Sequence, residues 1–174
     1  MTTAAEHLDR LIRTIPDFPT PGVRFRDLTP VLADGAALAS VADALVEPFL
    51  GSFDVIAGVE ARGFALAAAA AARHGSGILL VRKAGKLPGG TIAEDYALEY
   101  GTATLEVHHD QVPVGSRVLI IDDVLATGGT IGATASLAER AGWHVAGIAV
   151  VLELVALGGR ARLAPREVMA LETI

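Results

Sequence analysis

The chain contains no cysteine, which excludes a disulfide scaffold, a zinc–thiolate site and a cysteine nucleophile. Aromatic residues are few, and the hydrophobic half of the composition is mostly Ala, Val, Leu and Ile. Small and branched aliphatics in that proportion suit helices packed on a buried sheet. No apolar run approaches the roughly 20 residues that a membrane span needs. The alanine-rich stretch Ala65 to Ala72 is short and stops at Arg73-His74-Gly75. The opening MTTAAEHLDRLIRTI lacks the long apolar centre of a signal peptide, so a cytoplasmic location is expected. Positive charge is also scarce. Fourteen Lys and Arg against 20 Asp and Glu leave a formal net charge of -6, which argues against a general affinity for nucleic acid. An acidic chain that handles phosphates must gather its cations locally. No internal repeat or low-complexity linker divides the sequence.

What is present reads as an α/β chain. Leu8, Leu11, Ile12 and Ile15 recur as on an amphipathic helix. Pro16, Pro19 and Pro21 then forbid helix and favour extended or turning backbone. A second helix is expected from Asp34, its cap, to Phe49. Two similar units follow. Phe53 to Gly58 reads as a buried strand, Val59 to Gly63 as a loop, Phe64 to His74 as a helix and Gly77 to Val81 as the next strand. Likewise Arg117 to Ile121 is a strand, Asp122 to Gly129 a loop, Thr130 to Ala141 a helix and His144 to Leu154 a strand. This order predicts a central, mainly parallel sheet flanked by helices and joined by right-handed crossovers. Between the units, the Gly-rich and charged segment Ala84 to Tyr100 reads as a long mobile loop of functional importance. The 174 residues are expected to form one domain, with an N-terminal helix and hood over 1–33 and a core over 34–174.

The most informative segment is Val118-Leu119-Ile120-Ile121-Asp122-Asp123-Val124-Leu125-Ala126-Thr127-Gly128-Gly129-Thr130. Four aliphatics put the acidic pair at the carboxyl end of a buried strand, where open α/β sheets bind ligands. Ala126 to Thr130 then opens a helix. Two glycines let backbone N–H groups close around a phosphate, two threonines add hydroxyls, and the helix start adds aligned amides. Asp122 and Asp123 would repel a phosphate set directly on them, and fit better as acceptors for two ribose hydroxyls nearby. Neither the Gly-Lys-Thr of a Walker loop nor a Gly-x-Gly-x-x-Gly turn is present.

This motif resembles the phosphoribosyl pyrophosphate signature of the type I phosphoribosyltransferase family. Four further segments resemble that family's adenine branch: Phe18-Pro19-Thr20-Pro21-Gly22-Val23, Glu60-Ala61-Arg62-Gly63-Phe64, Arg82-Lys83-Ala84-Gly85-Lys86-Leu87-Pro88-Gly89 and Tyr96-Ala97-Leu98-Glu99-Tyr100-Gly101. The resemblance implies transfer of a phosphoribosyl group to adenine, giving AMP and pyrophosphate. It assigns Ala126, Thr127, Gly128, Gly129 and Thr130 to the 5′-phosphate, and Asp122 and Asp123 to the ribose. It gives pyrophosphate to Arg62, whose planar fork suits two phosphate oxygens, and to Arg82, Lys83 and Lys86. These last three are the local cationic cluster, although Lys83 equally suits a solvated basic turn. Glu99 matches the loop carboxylate that handles the proton on the base. Phe25 and Leu154 match the residues that sandwich adenine, and Arg26 one whose main chain reads the purine edge; an ordinary core role fits both apolar residues too. The family often carries a non-proline cis peptide in the loop that holds Arg62. A homodimer follows from the same resemblance, and magnesium is expected to arrive on the substrate rather than in a protein cage.

Arg24 departs from the pattern, standing where the compared relative has a small aliphatic residue. Adenine recognition survives if that contact is made by the main chain. His108-His109 lacks companions at metal-ligand spacing and is read as a strand-end pair without function. Two alternatives remain: the same chemistry on another base, and a catalytically silent sensor of phosphoribosyl pyrophosphate. The sensor would need a DNA-binding module, for which the short segment before Pro16 leaves no room.

Overall fold

The structure, a computed structural model, describes residues 2–97 and 101–174. Helix α1 (Ala4–Leu11) starts with a capping box, in which Thr3 and Glu6 each accept from the other's backbone N–H. It stops at Leu11, so Ile15 leaves the expected helical stripe and lies exposed in β1 (Arg13–Pro16). Strand β1 pairs antiparallel with β2 (Arg24–Asp27), and the proline-rich segment turns between them. Helix α2 (Thr29–Ala33) leads into α3 (Gly35–Val46), and a 3-10 turn continues to Phe49. Asp34 caps α3 as expected, accepting from the Ala36 and Ala37 N–H groups at 3.0 Å each.

Then come β3 (Val55–Val59), α4 (Arg62–His74), β4 (Gly77–Lys83), β5 (Thr91–Ala97) and β6 (Thr102–His108). The chain ends with β7 (Arg117–Leu125), α5 (Gly129–Arg140), β8 (His144–Glu153), α6 (Gly159–Leu163) and β9 (Val168–Thr173). Seven strands form one sheet in the order β5-β6-β4-β3-β7-β8-β9. The run β4-β3-β7-β8-β9 is parallel, whereas β6 is antiparallel to β4 and β5 antiparallel to β6. Among the described residues no helix is long and apolar enough to cross a membrane.

Alternation along the buried strands divides the core in two. Ile56, Leu119, Ile121 and Val151 pack with Leu66 and Ala67 of α4 and with α3. On the other face Val55, Ala57, Val118, Ile120 and Val150 pack with Ile131 and Leu137 of α5. Because each strand is covered on both faces, it reads in sequence as an unbroken aliphatic run.

Two expectations are corrected. The middle of the Ala84 to Tyr100 segment is strand rather than loop: β5 pairs with β6 from Thr91↔His108 to Ala97↔Thr102. Its partly buried positions, Ile92, Glu94 and Tyr96, alternate with exposed Ala93, Asp95 and Ala97, a period-two pattern masked by its polar composition. Strand β7 also continues through Asp122 and Asp123 to Leu125 instead of ending at Ile121, because β8 offers a paired backbone alongside as far as Glu153.

Candidate active site

Strands β3 and β7 are parallel neighbours, but their chains depart in opposite directions. From β3 the chain passes through α4 to β4 on one side, and from β7 through α5 to β8 on the other. The two connections cover opposite faces, so a crevice opens where β3 and β7 end. This is the switch point at which open α/β sheets bind ligands.

Gly63, in the first turn of α4, closes the crevice from the β3 side. A Cβ there would lie 2.9 Å from the Ile121 carbonyl oxygen and 3.0 Å from Asp122 Oδ1. Only glycine allows helix and strand to meet so closely. The preceding Glu60–Ala61 peptide is cis. Arg62 is the first residue of α4 rather than part of a loop, and its Nε donates to the Asp123 carboxylate. Its guanidinium carbon is 5.9 Å from the centre of the Phe25 ring, a cation–π contact. Phe18 meets the same ring edge-on at 5.1 Å. The β1–β2 ribbon thus reaches the crevice through Phe25.

Asp122 and Asp123 are both buried. The Asp123 N–H donates to Asp122 Oδ1 at 2.8 Å. Burial, reinforced by the neighbouring Asp123 charge, pushes the Asp122 pKa well above its ordinary value. An acid in that state is poised for whatever polar group enters the crevice.

Beyond the acidic pair, Gly128 takes a left-handed φ of 78° and turns the chain into α5. No side chain caps this helix, so its first amides are left to other acceptors. A cavity of about 70 Å³ lies here, lined by Asp122, Val124, Leu125 and every residue from Ala126 to Ile131. The residues expected to cradle a phosphate therefore share one cavity with one of the two aspartates.

The cations are organised by two glutamates. Arg82 Nε donates to Glu60 Oε2 at 3.2 Å, and the Lys83 N–H donates to the same oxygen at 3.1 Å. Arg82 also donates to the Lys86 carbonyl at 3.2 Å. The Lys86 and Leu87 N–H groups donate to buried Glu106 Oε1 at 2.8 and 2.7 Å. These amides, led by that of Leu87, hold the Glu106 carboxylate below its usual pKa. The side chains of Lys83 and Lys86 are left exposed. The sequence reading assigned no role to Glu60 as an anchor or to Glu106. Glu106 did carry a signal, as a carboxylate set between the apolar residues Leu105 and Val107.

Arg26 turns its side chain away to Thr14, donating to the hydroxyl at 2.9 Å, and to Glu172 at 3.5 Å. Leu154 is half-buried just after β8, and its N–H donates to the Leu125 carbonyl at 2.9 Å. Glu99 lies outside the described residues. The end of β5 reaches the phosphate loop, however: a Cβ on Gly129 would meet the Ala97 carbonyl oxygen at 3.2 Å and Tyr96 Cδ2 at 3.4 Å. His108 Nδ1 lies 3.1 Å from the Gly90 carbonyl oxygen at a strand end. No group of three or more His, Asp or Glu suited to a metal occurs among the described residues.

Residues 28–168 match the family model of the phosphoribosyl transferase domain. The chain belongs to the phosphoribosyltransferase family. An adenine phosphoribosyltransferase of Renibacterium salmoninarum is 63% identical over 166 residues, covering 95% of this chain and 91% of that protein. The crystal structure of adenine phosphoribosyltransferase from Thermoanaerobacter pseudethanolicus superimposes with a TM-score of 0.92 at 46% identity, covering 98% of this chain and 99% of that one. The Saccharomyces cerevisiae enzyme, complexed with an imino-altritol bisphosphate and adenine, gives a TM-score of 0.91 at 35% identity, with 97% and 98% covered.

Proposed function

We propose that this chain transfers the 5-phosphoribosyl group of phosphoribosyl pyrophosphate to adenine, giving AMP and pyrophosphate in purine salvage. The observation that carries the reading is the junction of Arg62 with Asp123 beside the uncapped start of α5. One crevice then offers a cation for pyrophosphate, acids for ribose and free amides for a phosphate. The adenine specificity draws on the names of the relatives at more than half identity.

In this reaction a ring nitrogen of the base attacks the anomeric carbon while the bond to pyrophosphate breaks. Positive charge develops on the sugar, so the protein must hold both ends of the substrate in line and offset the charges that form. Ala126, Thr127, Gly128, Gly129 and Thr130 hold the 5′-phosphate. Asp122 and Asp123 accept from the ribose hydroxyls and lie where a nascent cation would be stabilised. Substrate binding exchanges the Arg62–Asp123 pair for ribose on the acid and pyrophosphate on the arginine. Arg82, Lys83 and Lys86 complete the pyrophosphate side. Adjacent carboxylates suit a hard cation, and Asp122 and Asp123 are the residues that would hold a magnesium ion brought in with the substrate. The ion would neutralise charge on the departing pyrophosphate.

Adenine stacks on Phe25 and packs against Leu154. Side chains alternate along β2, so Arg24 and Arg26 point to the opposite face of the ribbon from Phe25. That geometry supports purine reading by the main chain and leaves Arg24 without a part in base choice. Glu99 takes up the proton released from the base. A homodimer and a cytoplasmic location belong to the same reading and rest on the family likeness.

The test is a base panel with purified protein, magnesium and phosphoribosyl pyrophosphate. Nucleotide from adenine alone is the expected outcome. Product from hypoxanthine, guanine, xanthine or orotate instead would overturn the base assignment. No product from any base, with phosphoribosyl pyrophosphate still bound, would leave a sensor.

A further inference from the structure

The turn after β8 touches the phosphate loop at both of its ends. At its start the Leu154 N–H donates to the Leu125 carbonyl at 2.9 Å. At its finish Gly159 lies directly on the loop. A Cβ on Gly159 would sit 2.2 Å from the Ala126 carbonyl oxygen, 2.8 Å from Leu125 Cδ1 and 2.9 Å from the Gly128 nitrogen. The contact is reciprocal, because a Cβ on Gly128 would meet the Gly159 carbonyl oxygen at 2.8 Å. These neighbours are mainly backbone, which cannot yield by changing rotamer.

The turn is also held from behind. Arg160 Nε donates to both carboxylate oxygens of buried Glu153 at 3.0 Å, and Leu163 at the end of α6 is fully buried in the core. The segment is therefore tethered at Arg160 and Leu163 and resists riding outward if something is inserted beneath it. Gly128 and Gly129 belong to the loop itself, whereas Gly159 arrives from a distant part of the chain.

We propose that Gly159 is a positioning residue of the phosphate site. Bare backbone set against Ala126 and Gly128 fixes the curve of the loop whose amides receive the phosphate. The same turn begins at Leu154, so its two contacts with the loop, Leu154 on Leu125 and Gly159 on Ala126 and Gly128, set the spacing between the base wall and the phosphate loop. This inference rests on the reading of residues 126–130 as the 5′-phosphate site.

The experiment titrates ribose 5-phosphate by calorimetry into the wild-type chain, Thr127→Ala, Gly158→Ala and Gly159→Ala, with thermal midpoints and steady-state kinetics for each. Gly158 has a φ of 67° but open space around it, so an alanine there strains the turn without pressing on the loop. Gly159→Ala is expected to weaken ribose 5-phosphate about tenfold or more, a change of roughly 1.4 kcal/mol at the lower bound. The KM for phosphoribosyl pyrophosphate should rise by a similar factor, with kcat altered less. Gly158→Ala should lower the thermal midpoint yet keep ribose 5-phosphate binding within about twofold of wild type.

Wild-type affinity in Gly159→Ala, with Thr127→Ala weakened, would overturn the positioning role and leave the phosphate site standing. Equal losses in Gly158→Ala and Gly159→Ala would also overturn it, since turn strain alone would then explain both. Failure of the wild-type chain to bind ribose 5-phosphate would remove the underlying reading as well. If Gly159→Ala does not fold, Val155→Gly with Leu157→Gly loosens the turn from its exposed side. That pair should weaken ribose 5-phosphate about two- to fivefold with only a small fall in the thermal midpoint, and unaltered binding would count against the proposal.

Discussion

Strands β3 and β7 carry carboxylates at both ends, and the two ends treat them in opposite ways. Before β3, exposed Asp54 receives the Arg117 N–H at 2.8 Å and Arg117 Nη2 at 2.6 Å. These hydrogen bonds, side chain first, lower the Asp54 pKa to about 2. At the far end Asp122 is buried beside a second acid, and its pKa is raised. One end ties two strands together with a satisfied ion pair in water. The other keeps a crowded, under-compensated acidic pair where the chain diverges. A carboxylate that costs stability in the folded protein and is nevertheless present marks where the fold serves a ligand rather than itself.

The largest effect should come from removing the crowded pair. Asp122→Asn with Asp123→Asn is expected to lower turnover by at least about a thousandfold, with the circular dichroism spectrum unchanged. Activity within tenfold of wild type would break the ribose assignment. Asp122→Asn alone should raise the thermal midpoint at pH 7. The sign follows from its raised pKa: the folded state penalises the ionised form, so this destabilisation is absent below the ordinary carboxylate range and grows as pH rises through the folded pKa. The gain from Asn should therefore shrink as pH falls towards about 4.

Arg62→Met comes next. It should raise the KM for phosphoribosyl pyrophosphate about ten- to a hundredfold, from loss of a bidentate cation. It should also lower the thermal midpoint, because Asp123 is left buried without its partner. Adding Asp123→Asn should restore the midpoint and leave the KM high. A midpoint that does not recover would mean that the pairing is not what holds the junction. Glu99→Ala should mainly reduce turnover and leave binding of phosphoribosyl pyrophosphate nearly intact, by about ten- to a thousandfold in kcat. A large loss of that binding would contradict a proton-handling role.

The contrast between the two ends was only half legible in the chain. Local patterns showed clearly: aliphatic runs that become doubly covered strands, Asp34 as a cap, and the Ala126–Thr130 loop, whose chemistry is written in consecutive residues. The β5 strand was hidden because Thr-Ile-Ala-Glu-Asp-Tyr-Ala has too little apolar contrast and follows Gly89 and Gly90. The continuation of β7 through two acids was hidden too, since strand propensity disfavours aspartate and only the neighbouring β8 overrides it. Glu60, Glu106 and Gly159 act on partners more than twenty positions away or across separate elements, and no linear spacing encodes such contacts.

The smallest expected effect tests the other end of the comparison. Asp54→Asn removes the acceptor for Arg117 but touches nothing near the crevice, so kcat and KM should stay at wild-type values. Its lowered pKa reverses the sign found for Asp122. Ionised Asp54 stabilises the fold above its ordinary pKa, and that contribution is lost as pH falls towards about 2. The substitution should therefore lower the thermal midpoint slightly at pH 7, within the range of surface ion pairs, and make no difference in strong acid. Added salt should shrink the difference further, because both partners are exposed. A loss of activity in Asp54→Asn, or a midpoint difference that survives both acid and salt, would mean that the two ends of β3 and β7 are mechanically coupled. The fastening end would then be part of what holds the acidic pair in register with Arg62.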